Sequence, residues 1–356
     1  MPMDRPTRRK VLLGSAAAAG ALGWPRISVR AAPPSPESIT PQLIEAARRE
    51  GKLTWYTSVD LPVAEIIAKS FEGKFAGVAV RIERTGAERV FQRIGQERAS
   101  NIFACDIAQS SDAAHYIEWK RAGALTACVP EDVARHFPAQ HKDADGLFAS
   151  WRVWLCGIAY NTKLVKAEEA PKSFADLLDP KWIGKLVKAH PGYSGTVLTA
   201  THQMARDLGW SYFEKLAKQK VMQVQSASDP PKKLALGERS VMVDGGDYVV
   251  TRLKEKGEPV EFVHASEGTP LITGPAAIMK SPPNPNAARL FHIWSFTVEA
   301  QQLNVDVGGL RSAHALVKER PDRKPLSEIK LMREDAVEVA RLADEIKAKY
   351  TQIFRV

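Results

Sequence analysis

The chain is poor in the residues that most covalent and metal chemistry needs. It has three cysteines in 356 residues, Cys105, Cys128 and Cys156. They share no metal-ligand spacing, and any pairing leaves one over. Two lie in apolar runs, "FACDIA" and "WLCGIAY", so all three read as small buried hydrophobes. There is no Lys/Arg block and no basic-aromatic alternation, which argues against a nucleic-acid partner. No apolar run reaches the roughly 20 residues of a membrane helix. No internal repeat is found, nor any low-complexity tract beyond the N-terminus. The serine-nucleophile motif is also incomplete. In "HPGYSGTV", Gly192 and Ser194 fit a nucleophile elbow, but Thr196 stands where the second glycine belongs. His202 and His264 carry no local signature of the base such a serine needs, which leaves a secreted serine hydrolase as a second alternative. His136, His141 and Asp143 lie in a proline-broken stretch with no shared helical face, and read as exposed loop residues rather than metal ligands.

What is present begins with "TRRKVLLGSAAAAGALGW", in which Arg8 and Arg9 precede a mildly apolar run from Val11 to Trp24. Followed by Val29, Arg30 and Ala31, it reads as an export signal cut after Ala31 and resembles a twin-arginine signal. The implied location is the periplasm. Residues 1–31 carry Arg5, Arg8, Arg9, Lys10, Arg26 and Arg30 against Asp4, a net of five, so removing them lowers the formal charge from +9 to +4. The basic balance therefore belongs largely to the leader. The remaining stretch of about 325 residues suits two lobes better than one core.

Short apolar runs then alternate with helical patterns. "KLTWYTS", "VAVRIERT" and "CDIAQSS" predict strands, each followed by helix-start signals: Asp60 with Pro62, Thr85 with Glu88, and Ser111 with Asp112. This rhythm predicts a parallel-rich α/β sheet in the first lobe. A second set follows the strand "VWLCGIAYN": strands "KLVKAHP", "VMQVQSA" and "SVMVDGGD", with helices "TVLTATHQMARDLG" and "YFEKLAKQK" among them. The loop "KAEEAPKSFADLLDPKWIG" predicts a surface excursion. A helix is expected from about Asn286 to Leu303, and a C-terminal helix with Met332, Ala336, Val339, Ala343, Ile346, Tyr350 and Ile353 on its core-facing side.

Ligands of open α/β sheets bind beyond the carboxyl ends of the strands. The residues expected there are small and hydroxylated: Thr57 and Ser58, Thr85, Ser110 and Ser111, and Ser194, Gly195 and Thr196. Helix starts add free N–H groups with partial positive charge. Asp60, Thr85, Ser111 and Ser194 each have a plain capping job open to them as well, and a cap at a cleft is compatible with a ligand contact.

Taken together, "LTWYTS", "ERVFQRIGQERAS" with "CDIAQSSD", "GIAYNTKLV", "PKSFADLLDPKWIGKLVKAHPGYSGT", "LALGERSVMVDGGDY" and "GPAAIMKSPPNPNAARLFHIW" resemble the periplasmic substrate-binding proteins of ABC transporters, in the extracellular solute-binding family 1 branch that includes ferric-ion-binding proteins. The resemblance implies an α/β periplasmic binding protein type II fold, two α/β lobes joined by a two-crossover hinge with the ligand cleft between them. It places lobe 1 at residues 32–153 and 272–320, lobe 2 at 154–271, and a C-terminal helix on the lobes at 321–356. It implies a monomer without enzymatic activity or cofactor that hands a small-molecule solute to an ABC permease. Ferric members often present adjacent tyrosines where this chain has Asp247 and Tyr248, and Asp60 stands where some place a histidine. Asp60, Asp247 and Tyr248 thus form the alternative, ferric reading of the site. The motif that holds the accompanying anion in ferric members is similar to Ser194, Gly195 and Thr196. That favours an anionic or zwitterionic, oxygen-rich solute (a phosphonate, phosphate ester or carboxylate), with Asp247 and Tyr248 among its contacts. Arg311, in "GGLRSAH", is the guanidinium to place near the hinge, with a surface position as its plainer reading.

Overall fold

The structure, a computed structural model, describes residues 34–356, so the leader expectation for residues 1–31 falls outside the described residues. The first helix, α1 (Pro41–Glu50), starts where the Thr40 hydroxyl accepts from the Leu43 N–H, and it stops at Gly51, whose φ of 74° suits glycine. There follow β1 (Lys52–Thr57), α2 (Leu61–Lys74), β2 (Ala79–Arg84), α3 (Ala87–Ala99), β3 (Ile107–Gln109), α4 (Ala113–Arg121), β4 (Leu125–Thr126), α5 (Glu131–His136) and β5 (Ala149–Leu155).

The chain then builds a second sheet from β6 (Ile158–Asn161), β7 (Leu186–Ala189), β8 (Met222–Val224), β9 (Val241–Met242) and β10 (Val260–Val263). Their connections carry α6 (Gly195–Leu208), α7 (Trp210–Ala217), α8 (Asp229–Ala235) and α9 (Asp247–Glu255). Strand β11 (Thr269–Met279) returns to the first sheet, followed by α10 (Pro285–Ser295), α11 (Val298–Asp306), β12 (Leu331–Met332) and α12 (Ala336–Phe354).

The first sheet runs β12-β11-β3-β1-β2, with β4 and β5 also on β11; the second runs β10-β6-β9-β7-β8. Strand β1 is parallel to β2 and β3, as the alternation predicts, but β11 is antiparallel to β3, β4 and β5. The first sheet is therefore mixed, because the returning strand enters its centre from the opposite direction. Each sheet has its own core. Trp55, Trp151 and Phe291 pack at ring-centroid distances of 5.3–6.1 Å under the first. Phe174, Leu177 and Trp182 join Phe213 and Leu216 beside the second.

Three expectations are corrected. The strand "VWLCGIAYN" is two strands, because Cys156 donates to Pro270 and Gly157 to Gly245 where the chain changes sheets. The loop through Pro171 and Pro180 runs over the surface as expected, with Phe174, Leu177 and Trp182 buried beneath it. The helix expected at 286–303 breaks at Phe296–Thr297, where the Thr297 hydroxyl accepts from the Ala300 N–H and starts a new helix. Met332 belongs to β12, leaving Val339, Ile346 and Tyr350 as the buried side of α12. That helix reaches both halves: Lys347 binds Glu88 of α3 at 3.0 Å, and the Tyr350 hydroxyl donates to Gln223 of β8 at 2.8 Å. Among the described residues no helix is long and apolar enough to cross a membrane.

Candidate functional site

Between the two sheets lies a cavity built at strand ends. Ser58 follows β1, Gly86 and Ala87 follow β2, Ser111 follows β3, Tyr193, Ser194 and Thr196 follow β7, and Ser226 and Ser228 follow β8. Its volume is about 20 Å³, room for about one water. The first turns of α3 and α6 border it. Ser194 is the cap of α6, its hydroxyl accepting from Val197 N–H at 3.4 Å.

The two halves touch closely around this space. A Cβ on Gly86 would stand 3.0 Å from the Tyr193 carbonyl, and one on Gly195 would stand 2.9 Å from an Asp112 carboxylate oxygen. Arg84 reaches Ser226 and Ser228 at 3.4 and 3.5 Å, and Arg89 donates to Gln225 at 2.9 Å.

The floor is Arg152, from the middle of β5, and sequence reasoning missed it. Its side chain is 1% exposed, donates from Nη2 to the Ser58 hydroxyl at 3.2 Å, and lies 4.5 Å from the centroid of the Trp154 ring. It has no carboxylate partner among the described residues, and its Nε is buried without any partner. A buried, unpaired guanidinium is costly. Burial lowers its pKa, opposed by the neighbouring hydroxyls of Tyr248 and Tyr116. Gly274 makes the placement possible, since a Cβ there would stand 2.8 Å from Arg152 Nε and 2.9 Å from the Trp154 ring. The available signal was an arginine set between the tryptophans and valine of the strand "ASWRVWL".

Several residues expected at the site line the cavity: Ser58, Ser111, Ser194, Thr196 and Tyr248. Burial raises the Tyr248 hydroxyl's pKa, with Arg152 pulling the other way. Others are placed elsewhere. The Thr57 hydroxyl accepts from Val59 N–H within its own turn. Thr85 is half-buried beside Gly86, which is the residue capping α3. Ser110 is fully buried outside the cavity wall, and Asp112 rather than Ser111 caps α4. Gly195, the first residue of α6, packs against Asp112.

Asp247 is corrected as a solute contact. One carboxylate oxygen accepts from Leu155 N–H at 3.0 Å, and the other binds Arg311 and Arg323. Arg311 is likewise no surface residue; at 3% exposure it ties Asp247 to Glu319. Asp60 stands at the start of α2 and pairs with Lys232 at 3.0 Å. The carboxylates of the ferric alternative, Asp60 and Asp247, are thus each bound to cations, and no three acidic, histidine or cysteine residues cluster as a metal site among the described residues. His136 stacks on His314 at 5.1 Å rather than standing free in a loop, and His141 is half-buried. All three cysteines are buried and unpaired. No histidine lines the cavity.

Residues 106–325 match the family model of the bacterial extracellular solute-binding proteins. A putative 2-aminoethylphosphonate-binding periplasmic protein of Salmonella typhimurium is 29% identical over 182 residues, 50% of this chain and 48% of its own length. A probable ABC transporter periplasmic-binding protein of Sinorhizobium fredii is 22% identical over 63% of this chain and 64% of its own. Among solved structures, the periplasmic binding protein AfuA of Actinobacillus pleuropneumoniae with bound fructose-6-phosphate is 25% identical. It covers 86% of this chain and 99% of its own at a TM-score of 0.79.

Proposed function

Because the chain belongs to the bacterial extracellular solute-binding proteins, we propose that it captures a small oxyanion-bearing solute in the periplasm and delivers it to an ABC permease. The observation that carries this reading is Arg152, buried without a carboxylate beneath a wall of serine and threonine hydroxyls. An arginine fork and convergent hydroxyl and helix-start donors match a phosphate, phosphonate or carboxylate group. A bare ferric ion is disfavoured, since it wants anionic oxygen ligands and the nearest functional charge is positive. Ser194 acts as a donor and a helix cap, not as a nucleophile.

A cavity of about 20 Å³ admits such a solute only if the two halves separate, so binding proceeds by hinge opening and closure, with the chain crossings at Cys156–Gly157 and at Gly268, just before β11, as pivots. The relatives named for aminoethylphosphonate and fructose-6-phosphate support a phosphorus oxyanion over a carboxylate. The paired arginines at the N-terminus support export by the twin-arginine route. A thermal-shift screen of the mature protein tests the reading. Phosphate esters or phosphonates raise the melting temperature, more for tighter binders at a given concentration, and ester substrates are returned unhydrolysed. Stabilisation by ferric ion alone would overturn it.

A further inference from the structure

The cavity wall contains no aspartate or glutamate. Two carboxylates stand beside it: Asp112, whose Oδ1 accepts from Ala114 N–H and whose Oδ2 lies 3.4 Å from His115 Nε2, and Asp60, two residues beyond the lining Ser58. Asp60 occupies the cap position of α2 yet makes no cap hydrogen bond. Instead its Oδ1 accepts from Lys232 Nζ of α8 at 3.0 Å, across the gap between the halves. The carboxylate side chain is 12% exposed and the lysine 47%, so the lysine lies over Asp60 from the solvent side. A solute anchored on Arg152 with a trailing ammonium would look for this carboxylate, and would find it already neutralised. It would also meet the guanidinium of Arg84, which has no carboxylate partner among the described residues.

We propose that Lys232 is a specificity-determining residue: by occupying Asp60 it denies the site an ammonium acceptor, so the protein selects phosphorus oxyanions with a neutral remainder over aminoalkyl ones. This rests on the oxyanion reading above. Lys232 acts through Asp60 and touches no anchoring group, so it alters what trails from the phosphorus and not the phosphorus contact itself.

The test is calorimetric titration of the mature protein with n-propylphosphonate and 2-aminoethylphosphonate, which differ by a methyl for an ammonium, alongside fructose 6-phosphate. The wild type is expected to bind propylphosphonate at least tenfold more tightly than the amine. Lys232→Met should shrink that ratio at least tenfold while leaving propylphosphonate affinity nearly unchanged, and Lys232→Arg should keep the wild-type preference. Binding of fructose 6-phosphate or propylphosphonate together with an equal or tighter grip on the amine would overturn the Lys232 role and leave the oxyanion reading standing. A ratio untouched by Lys232→Met would do the same. If none of the three compounds binds, the oxyanion reading itself fails and takes this inference with it.

Discussion

Gly195 and Asp112 meet across the cleft with no room for another atom: a Cβ on Gly195 would stand 2.9 Å from the Asp112 carboxylate and nearer still to its Cβ. Gly195 opens α6 on the second sheet and Asp112 caps α4 on the first. The closed arrangement therefore depends on a hydrogen where every other residue has a carbon. Gly195→Ala is expected to fold, since a helix start tolerates alanine, but to hold the halves apart. Solute affinity should fall at least about tenfold, ~1.4 kcal/mol. Small-angle scattering with saturating solute should show a larger radius of gyration than the wild type.

Gly274 plays the same part for the anchor itself. A Cβ there would press on Arg152 Nε and the Trp154 ring, both within 2.9 Å. Gly274→Ala is expected to tilt the guanidinium away from Ser58 and weaken oxyanion binding. Titration calorimetry and the tryptophan fluorescence of the unliganded protein report the two effects separately.

His292 gives the stability a pH dependence of fixed sign. Burial, with Arg289 adding to it, lowers its pKa to about 3. The unfolded chain takes up a proton near pH 6.5 that the folded chain refuses. Stability is therefore complete above about 6.5 and declines as pH falls toward about 3, at no more than about 1.4 kcal/mol per unit from this residue. The melting temperature of His292→Gln should lose less between pH 7 and pH 4.5 than that of the wild type.

The fold was legible because its signals are local. The strands from Lys52, Ala79 and Ile107 and the helices between them follow from apolar runs and caps that lie within a few residues of each other. The hydroxyls at Ser58, Ser111, Ser194 and Thr196 were legible too, because strand ends position ligand groups as a rule of topology. What escaped was pairing between distant segments. Asp247 reads as a free carboxylate until Arg311 and Arg323 are folded onto it. Arg152 reads as one polar residue in a strand until Gly274, 122 positions later, clears the space that lets it lie flat beneath the cavity. Charge balance at a buried site is a property of the assembled core, and local pattern does not carry it.

The central claim concerns the unpaired charge of Arg152, and calorimetry of Arg152→Met beside the wild type, with and without the tightest-binding phosphate ester or phosphonate, tests it most directly. Removing a buried guanidinium that has no carboxylate relieves its desolvation. The unliganded variant should therefore melt at the wild-type temperature or above, while affinity falls at least about 100-fold, ~2.7 kcal/mol, and the solute-induced shift disappears. A variant that melts well below the wild type yet keeps its solute shift would show that Arg152 serves the core and not the oxyanion.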